Sequence, residues 1–422
     1  MKKKRILSAN KRTKNRKRSR TDSELDSYRK VLEDESKWLD LKEVKCICKD
    51  EKFVKYLVSM LGSENHGLSK AAMITTRTAL TPEVGYHQLL IDCGVVEALV
   101  DIMTKKINFV RSITVEKKEH KTRIAHQIRT GGRAAHLIGL LAYSNEKTCD
   151  LLVRRKTVES LVMVLDSFRI LSNPPFKKYV DVYLCALQSV KASSCALGQI
   201  AHYRRENAIK VLEDETTLNN LLWVLTSEAK DVMKSFLESE NVSKDFRSIV
   251  NNEYLCAEKW CAYALSQIAY HVPTGSYSFG EIQQSHDDIT RILPRLLDKS
   301  RGDIVGILSY QIDNMGRKAK FEGKKIAMFR WLIELLGHVA RSIDKDSKGV
   351  DDFEKRIATT HMHAYIVKCL DENKTSSREN GDVERVSLME ASMYVVFLMR
   401  FHYNNHYNTF TSLGTQFNNF LS

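Results

Sequence analysis

The sequence runs to 422 residues, with 66 Lys+Arg against 52 Asp+Glu, 43% hydrophobic residues and only 18 Gly and 5 Pro. A chain of that size buries a large core, and one so poor in turn-formers is not a β-sandwich, a barrel or a collagen-like polymer, so it reads as mostly helical. Its cysteines, at Cys46, Cys48, Cys93, Cys149, Cys185, Cys195, Cys256, Cys261 and Cys369, are odd in number and scattered, which fits small buried residues in a reducing compartment better than a disulfide framework.

Residues 1–20, MKKKRILSANKRTKNRKRSR, hold 11 Lys or Arg and no acid, so setting them aside lowers the formal charge from +14 to +3. Basicity is therefore a property of the tail, and the net charge alone does not argue for a nucleic-acid surface on the body. No apolar stretch follows the basic start and no run approaches the ~18 apolar residues of a membrane span, so a soluble, intracellular protein without a membrane partner is expected. Like charges at this density repel and bury nothing, which predicts a disordered domain over residues 1–23. Within it, Lys4 and Arg5 precede, across residues 6–15, the cluster Arg16, Lys17, Arg18 and Arg20. That spacing resembles a bipartite nuclear localisation signal, whose two basic clusters meet two acidic pockets on an import receptor. A solubilising tail or a nonspecific phosphate binder is the plainer alternative. Phosphorylation of Thr21 or Ser23 would set negative charge beside the cluster.

Beyond the tail, two strings recur. LLIDCGVVEALVDIM (Leu89 to Met103) lies over LLVRRKTVESLVMVL (Leu151 to Leu165) and, less well at its start, over VLEDETTLNNLLWVL (Val211 to Leu225); CKDEKFVKYLVSML (Cys48 to Leu61) fits the same frame. Interleaved with these are AAHLIGLLA (Ala134 to Ala142), SSCALGQIA (Ser193 to Ala201), CAYALSQIA (Cys261 to Ala269) and LIELLGHVA (Leu332 to Ala340), with Trp260 and Trp331 just ahead of their copies. Small residues recur at Gly139, Gly198, Ser266 and Gly337, where neighbouring helices can approach closely. Each helix type has an apolar face too wide to be soluble alone, and stacking the units into a continuous core is the physical remedy.

The alternating strings resemble armadillo repeats over roughly residues 45–402, the second frame matching the family's second helix and the first, with Gly94 at the helix turn, its third. The resemblance implies an all-α fold, a right-handed α-solenoid of about five to six irregular repeats with insertions, spanning residues 24–404 and ending in a polar tail over 405–422. The first-frame ends at Leu61, Met103, Leu165 and Leu225 keep the ~40–47-residue period only at the first step, so insertions are placed near 107–122, 168–180, 229–250, 273–286 and 371–384. The segment 289–299 around Pro294 aligns two ways. A HEAT-like or otherwise irregular solenoid is the structural alternative.

In the armadillo family the third helices line a concave groove that holds extended peptides. Carried across, the frame gives one column of Lys55, Glu97, Glu159 and Asn219, a position four later with Ser59, Asp101, Met163 and Trp223, and a neighbouring column of Tyr56, Ala98, Ser160 and Asn220. These interrupt an apolar pattern and are expected to face out. Glu97, Asp101 and Glu159 would make part of the groove acidic, and Trp223 would anchor beside Asn219 and Asn220. Importin-alpha proteins, of the same family, use a Trp and Asn ladder; the comparable second-helix pairs here are His136/Leu140, Cys195/Gln199, Tyr263/Gln267 and Glu334/His338, and the ladder is absent.

No P-loop, nucleophile elbow, kinase set or Rossmann fingerprint occurs, and neither Cys46-x-Cys48, His361-x-His363 nor the pair His402 and His406 completes a zinc signature. The paired glycines of Arg129-Thr-Gly-Gly-Arg133 suit an anion, although a helix start or turn explains them more simply. The expectation is a non-enzymatic nuclear scaffold without cofactor or metal. It would capture an extended peptide segment of a partner protein and meet an import receptor through Lys4, Arg5, Arg16, Lys17, Arg18 and Arg20. Alternatives are a nucleic-acid-associated protein whose tail grips phosphates, and a divergent importin-alpha-like adaptor.

Overall fold

The computed structural model describes residues 25–112, 120–143, 145–171, 180–239, 242–272, 306–307, 311 and 324–342. Among these the secondary structure is helical, with no strand. A helical stretch over 25–33, here α1, leads through a 3₁₀ turn at Glu35–Lys37 to α2 (Leu41–Ile47), α3 (Glu51–Met60), α4 (His66–Ala79), α5 (His87–Asp92) and α6 (Val95–Ser112). There follow α7 (His120–Tyr143), α8 (Glu146–Arg154), α9 (Thr157–Leu171), α10 (Val180–Tyr203), α11 (Arg205–Leu212), α12 (Glu215–Val224), α13 (Ser227–Ser239), α14 (Lys244–Tyr270) and α15 (Lys324–Ser342). The chain separates into two compact units, residues 1–105 and 106–422.

Local chemistry explains the helix starts. Asp40, Asp50, Asn65, Asn145, Asp214 and Ser243 each accept a backbone N–H of the first turn, satisfying donors that have no partner inside the helix. Gly94 turns the chain between α5 and α6 with φ +83°. The position that the repeat frame sets opposite it, Lys156 between α8 and α9, is also left-handed, with φ +57°. A lysine there carries a steric cost that a glycine does not.

In the first unit α4 packs on α2 and α3, and α3 on α5, around Val44, Phe53, Val54, Leu57, Leu61, Ala71 and Leu90. In the second, α7 packs on α10, α10 on α14 and α14 on α15, a row made of the four copies of the second frame. α9 lies on α10, and α12 on α14 and α9. Small residues set the spacing: a Cβ on Gly139 would lie 3.6 Å from Ala196, and one on Gly198 only 2.6 Å from the Tyr263 ring.

Three of the expected insertions lie at least partly in helix. Residues 107–112 continue α6 and 168–171 continue α9, while 229–239 fall in α13 and 244–250 open α14. They are added helix because they keep apolar periodicity, burying Ile107, Val110, Met233, Phe236 and Val250. The tail 1–23, the segments 273–286, 289–299 and 371–384, the end 405–422, and Cys369, His361, His363, His402 and His406 lie outside the described residues.

Candidate interaction surface

The first-frame columns divide between solvent and core. Glu97 and Asp101 are exposed on α6 in the first unit, Asp101 paired with Lys105 at 2.7 Å, and Lys55 is paired with Glu51 at 2.6 Å. Pairs this exposed contribute little. Glu159, in the second unit, is exposed on α9 at an open recess that it lines with Val153, Val158, Lys210, Glu213 and Asp214. Met163, Asn219 and Trp223 are half-buried on α9 and α12.

In the neighbouring column Tyr56 and Ala98 are half-buried, whereas Ser160 and Asn220 do not face out as expected. Ser160 is 4% exposed and Asn220 3%, with Asn220 Nδ2 donating to Asp166 Oδ1 at 3.3 Å. α12 packs on both α9 and α14, so a position one residue round from the outer column enters a helix seam. Asn220 therefore joins α12 to α9.

A polar and aromatic strip that sequence reasoning did not select runs over the row of long helices. It carries Arg129, Arg133 and His136 on α7, Lys191 and Cys195 on α10, Lys259 and Trp260 on α14, and Arg330, Trp331 and Glu334 on α15, all half-buried or exposed. Its side chains bridge the helices. Lys191 Nζ meets Glu253 at 3.0 Å, and Ser266 Oγ donates to Glu334 Oε2 at 3.4 Å. His202 is hydrogen-bonded to Gln267, and Arg341 Nη2 donates to the Tyr270 carbonyl at 2.7 Å. Tyr263 stands edge-on between Trp260 and Trp331, at 5.4 and 4.7 Å between ring centroids, while Lys259 and Arg330 lie over the two indoles at 5.2 and 4.4 Å. The second frame carries the signal, since His136, Cys195 and Glu334 lie within its copies and the remaining side chains lie just ahead of them.

Burial dominates the electrostatics. It pushes His338 down to about 4, aided by Arg341 and His271, and raises Glu334 against the opposing pull of Arg330. The Cys48, Cys149, Cys195 and Cys261 thiols are pushed up to about 12, again by burial first, so they remain protonated at neutral pH. Among the described residues no group of three or more His, Cys, Asp or Glu could hold a metal ion. The paired glycines of the Arg129–Arg133 stretch are neither a helix start nor a turn: both lie buried inside α7, where a Cβ on Gly132 would fall 2.3 Å from Ser189 Oγ of α10.

No protein-family model matches the chain, and no curated protein matches it. Among solved structures it is similar to two engineered proteins determined as structural-genomics targets. One is 16% identical with a TM-score of 0.43, covering 76% of this chain and 92% of that one; the other is 14% identical with a TM-score of 0.27, covering 90% and 95%. Neither likeness carries weight at those scores. No described helix is long and apolar enough to cross a membrane.

Proposed function

We propose that the chain is a non-enzymatic, armadillo-like scaffold that binds an extended segment of a partner protein, with residues 24–404 forming a right-handed α-solenoid of about five to six repeats. The observation that carries this reading is the row α7, α10, α14 and α15, which buries its flanks helix against helix and leaves a strip of charged and aromatic side chains outward. Equivalent left-handed turns at Gly94 and Lys156 support the repeat frame. Glu97, Asp101, Glu159, Met163, Asn219 and Trp223 remain candidates for partner contact, and Asn220 is withdrawn because it is buried. The tail is the proposed import signal and places the scaffold in the nucleus.

The rival class is a nucleic-acid-associated protein, favoured by the 11 basic residues of the tail. Affinity purification of the full-length protein, with identification of what accompanies it, tests the scaffold reading; reproducible recovery of nucleic acid and no protein would sink it. Binding compared with and without residues 1–20 at two salt concentrations separates the classes, since a phosphate binder loses affinity steeply with salt and loses most of it with the tail.

A further inference from the structure

Helix α7 is uniform in charge: it carries Lys121, Arg123, Arg129 and Arg133 and no Asp or Glu. Arg123 lies over the Phe109 ring at 4.3 Å. Arg129 and Arg133, four residues apart, share a helix face, and both sit beside the buried Cys185 thiol of α10. Arg133 is half-buried, and burial followed by the charge of Arg129 holds its guanidinium below the ordinary value. Among the described residues no carboxylate acts on it. Three other cations of the same unit are matched, Lys191 by Glu253, Arg330 by Glu334, and Arg204 by Glu146 and Asp150. A partly desolvated cation pressed against a second cation is costly unless an anion arrives from outside.

The backbone beneath is fixed. Gly132 admits Ser189 so closely that α7 and α10 meet in a tight seam, and Ser189 Oγ donates across it to the Ile128 carbonyl at 3.0 Å. The two arginines thus stand on a rigid backbone before any ligand comes, which lowers part of the ordering cost of binding.

We propose that Arg129 and Arg133 form a subsite for an acidic side chain, Asp or Glu, of an extended partner segment laid across α7, α10, α14 and α15. This rests on the scaffold reading above and assigns its partner a charge. Helix axes in contact are about 8–10 Å apart, so the three seams span about 30 Å, the reach of roughly nine extended residues. Beyond the arginine pair the segment meets Lys259 over Trp260, a surface for a further carboxylate with an apolar side chain beside it. A polynucleotide fits less well. Bases need open aromatic faces, but here cations lie over the indoles and Tyr263 is buried.

The test is fluorescence anisotropy with full-length protein at physiological salt, where attraction to the tail is screened beyond about 8 Å. The probes are a labelled peptide of Asp, Phe and Gly, its counterpart with Lys in place of Asp, and an oligo-dT of similar length. The acidic peptide is expected to bind, with Arg133→Gln and Arg129→Gln each weakening it about tenfold or more and Arg77→Gln, exposed on α4, leaving it unchanged. Circular dichroism checks that the variants fold, and should Arg133→Gln not, the exposed Arg129→Gln carries the test. Unchanged binding in the arginine variants overturns the subsite, as does tighter binding of the oligonucleotide. Binding of the lysine peptide instead also overturns it while leaving the scaffold reading standing. A chain that binds neither peptide overturns the subsite, and the affinity purification then decides the scaffold reading on its own.

Discussion

Gly131 and Gly132 stand side by side in α7, and the structure predicts opposite outcomes for the same substitution. A Cβ at Gly131 meets Ile107 and Val164 at 3.6 Å or more, so Gly131→Ala gains helix propensity and should stabilise the protein by up to about 1 kcal/mol. A Cβ at Gly132 collides with Ser189, so Gly132→Ala should destabilise it by about 1–3 kcal/mol. Denaturant unfolding of the two variants checks the pair. His338 gives a pH prediction. Its folded value of about 4 lies below the ordinary 6.5, so between those pH values the unfolded chain binds the proton and the folded chain does not. Stability should therefore fall as pH drops through that window and level off below it. Burial and Arg341 hold His338 down, His271 shifts the same way, and Glu334, raised by burial, works in the opposite sense. His338→Gln should flatten the slope between pH 4 and 6.5 in thermal melts, and an unchanged slope would show that other groups set it.

At the scale of elements, the turn between α8 and α9 tests the repeat frame. Lys156→Gly relieves a left-handed side chain at the cost of a looser unfolded chain, a net gain of about 0.5–1 kcal/mol, whereas Gly94→Ala should cost at least 1 kcal/mol, both read from urea midpoints. Capping offers a second test. Asp50 accepts from Lys52 N at 3.0 Å and from the Tyr28 hydroxyl at 2.5 Å, so Asp50→Ala should cost about 1 kcal/mol or more by loosening both the start of α3 and its link to α1. The caps follow a local rule, because Asp, Asn and Ser before an apolar run accept first-turn N–H donors, although the repeat frames above did not mark them. The lengths of α6, α9, α13 and α14 were not legible in the chain, since the broken repeat period located extra residues there without assigning them a conformation.

Over the whole molecule, Leu197 and Leu221 are both fully buried. Replacing either with Ala should cost ~2–5 kcal/mol. In a stack of units coupled mainly to neighbours, the loss should appear as reduced cooperativity. Hydrogen exchange would then rise around α9 to α14 before it rises in residues 41–103, and uniform loss of protection would contradict repeat-wise coupling. For the tail, residues 1–22 fused to an inert cytosolic reporter should drive nuclear accumulation that needs both Lys4-Arg5 and Arg16 to Arg20. A reporter left in the cytosol would remove the nuclear assignment.

The sequence by itself determined the all-helical class and displayed the two alternating frames, because both follow from periodicity and from the scarcity of turn-formers. It also marked the small residues at Gly139 and Gly198, which the structure finds at helix seams. Which polar residues face outward was decided only by tertiary packing. Asn220 and Glu159 sit at adjacent frame positions and look alike along the chain, yet α12 lies between two neighbours and draws Asn220 inward while Glu159 stays in water. The arginines of α7 show the same dependence. Their spacing was in the sequence, but that Arg133 is half-buried beside Arg129, next to the seam where Gly132 admits Ser189, was decided by the packing of α10 on α7.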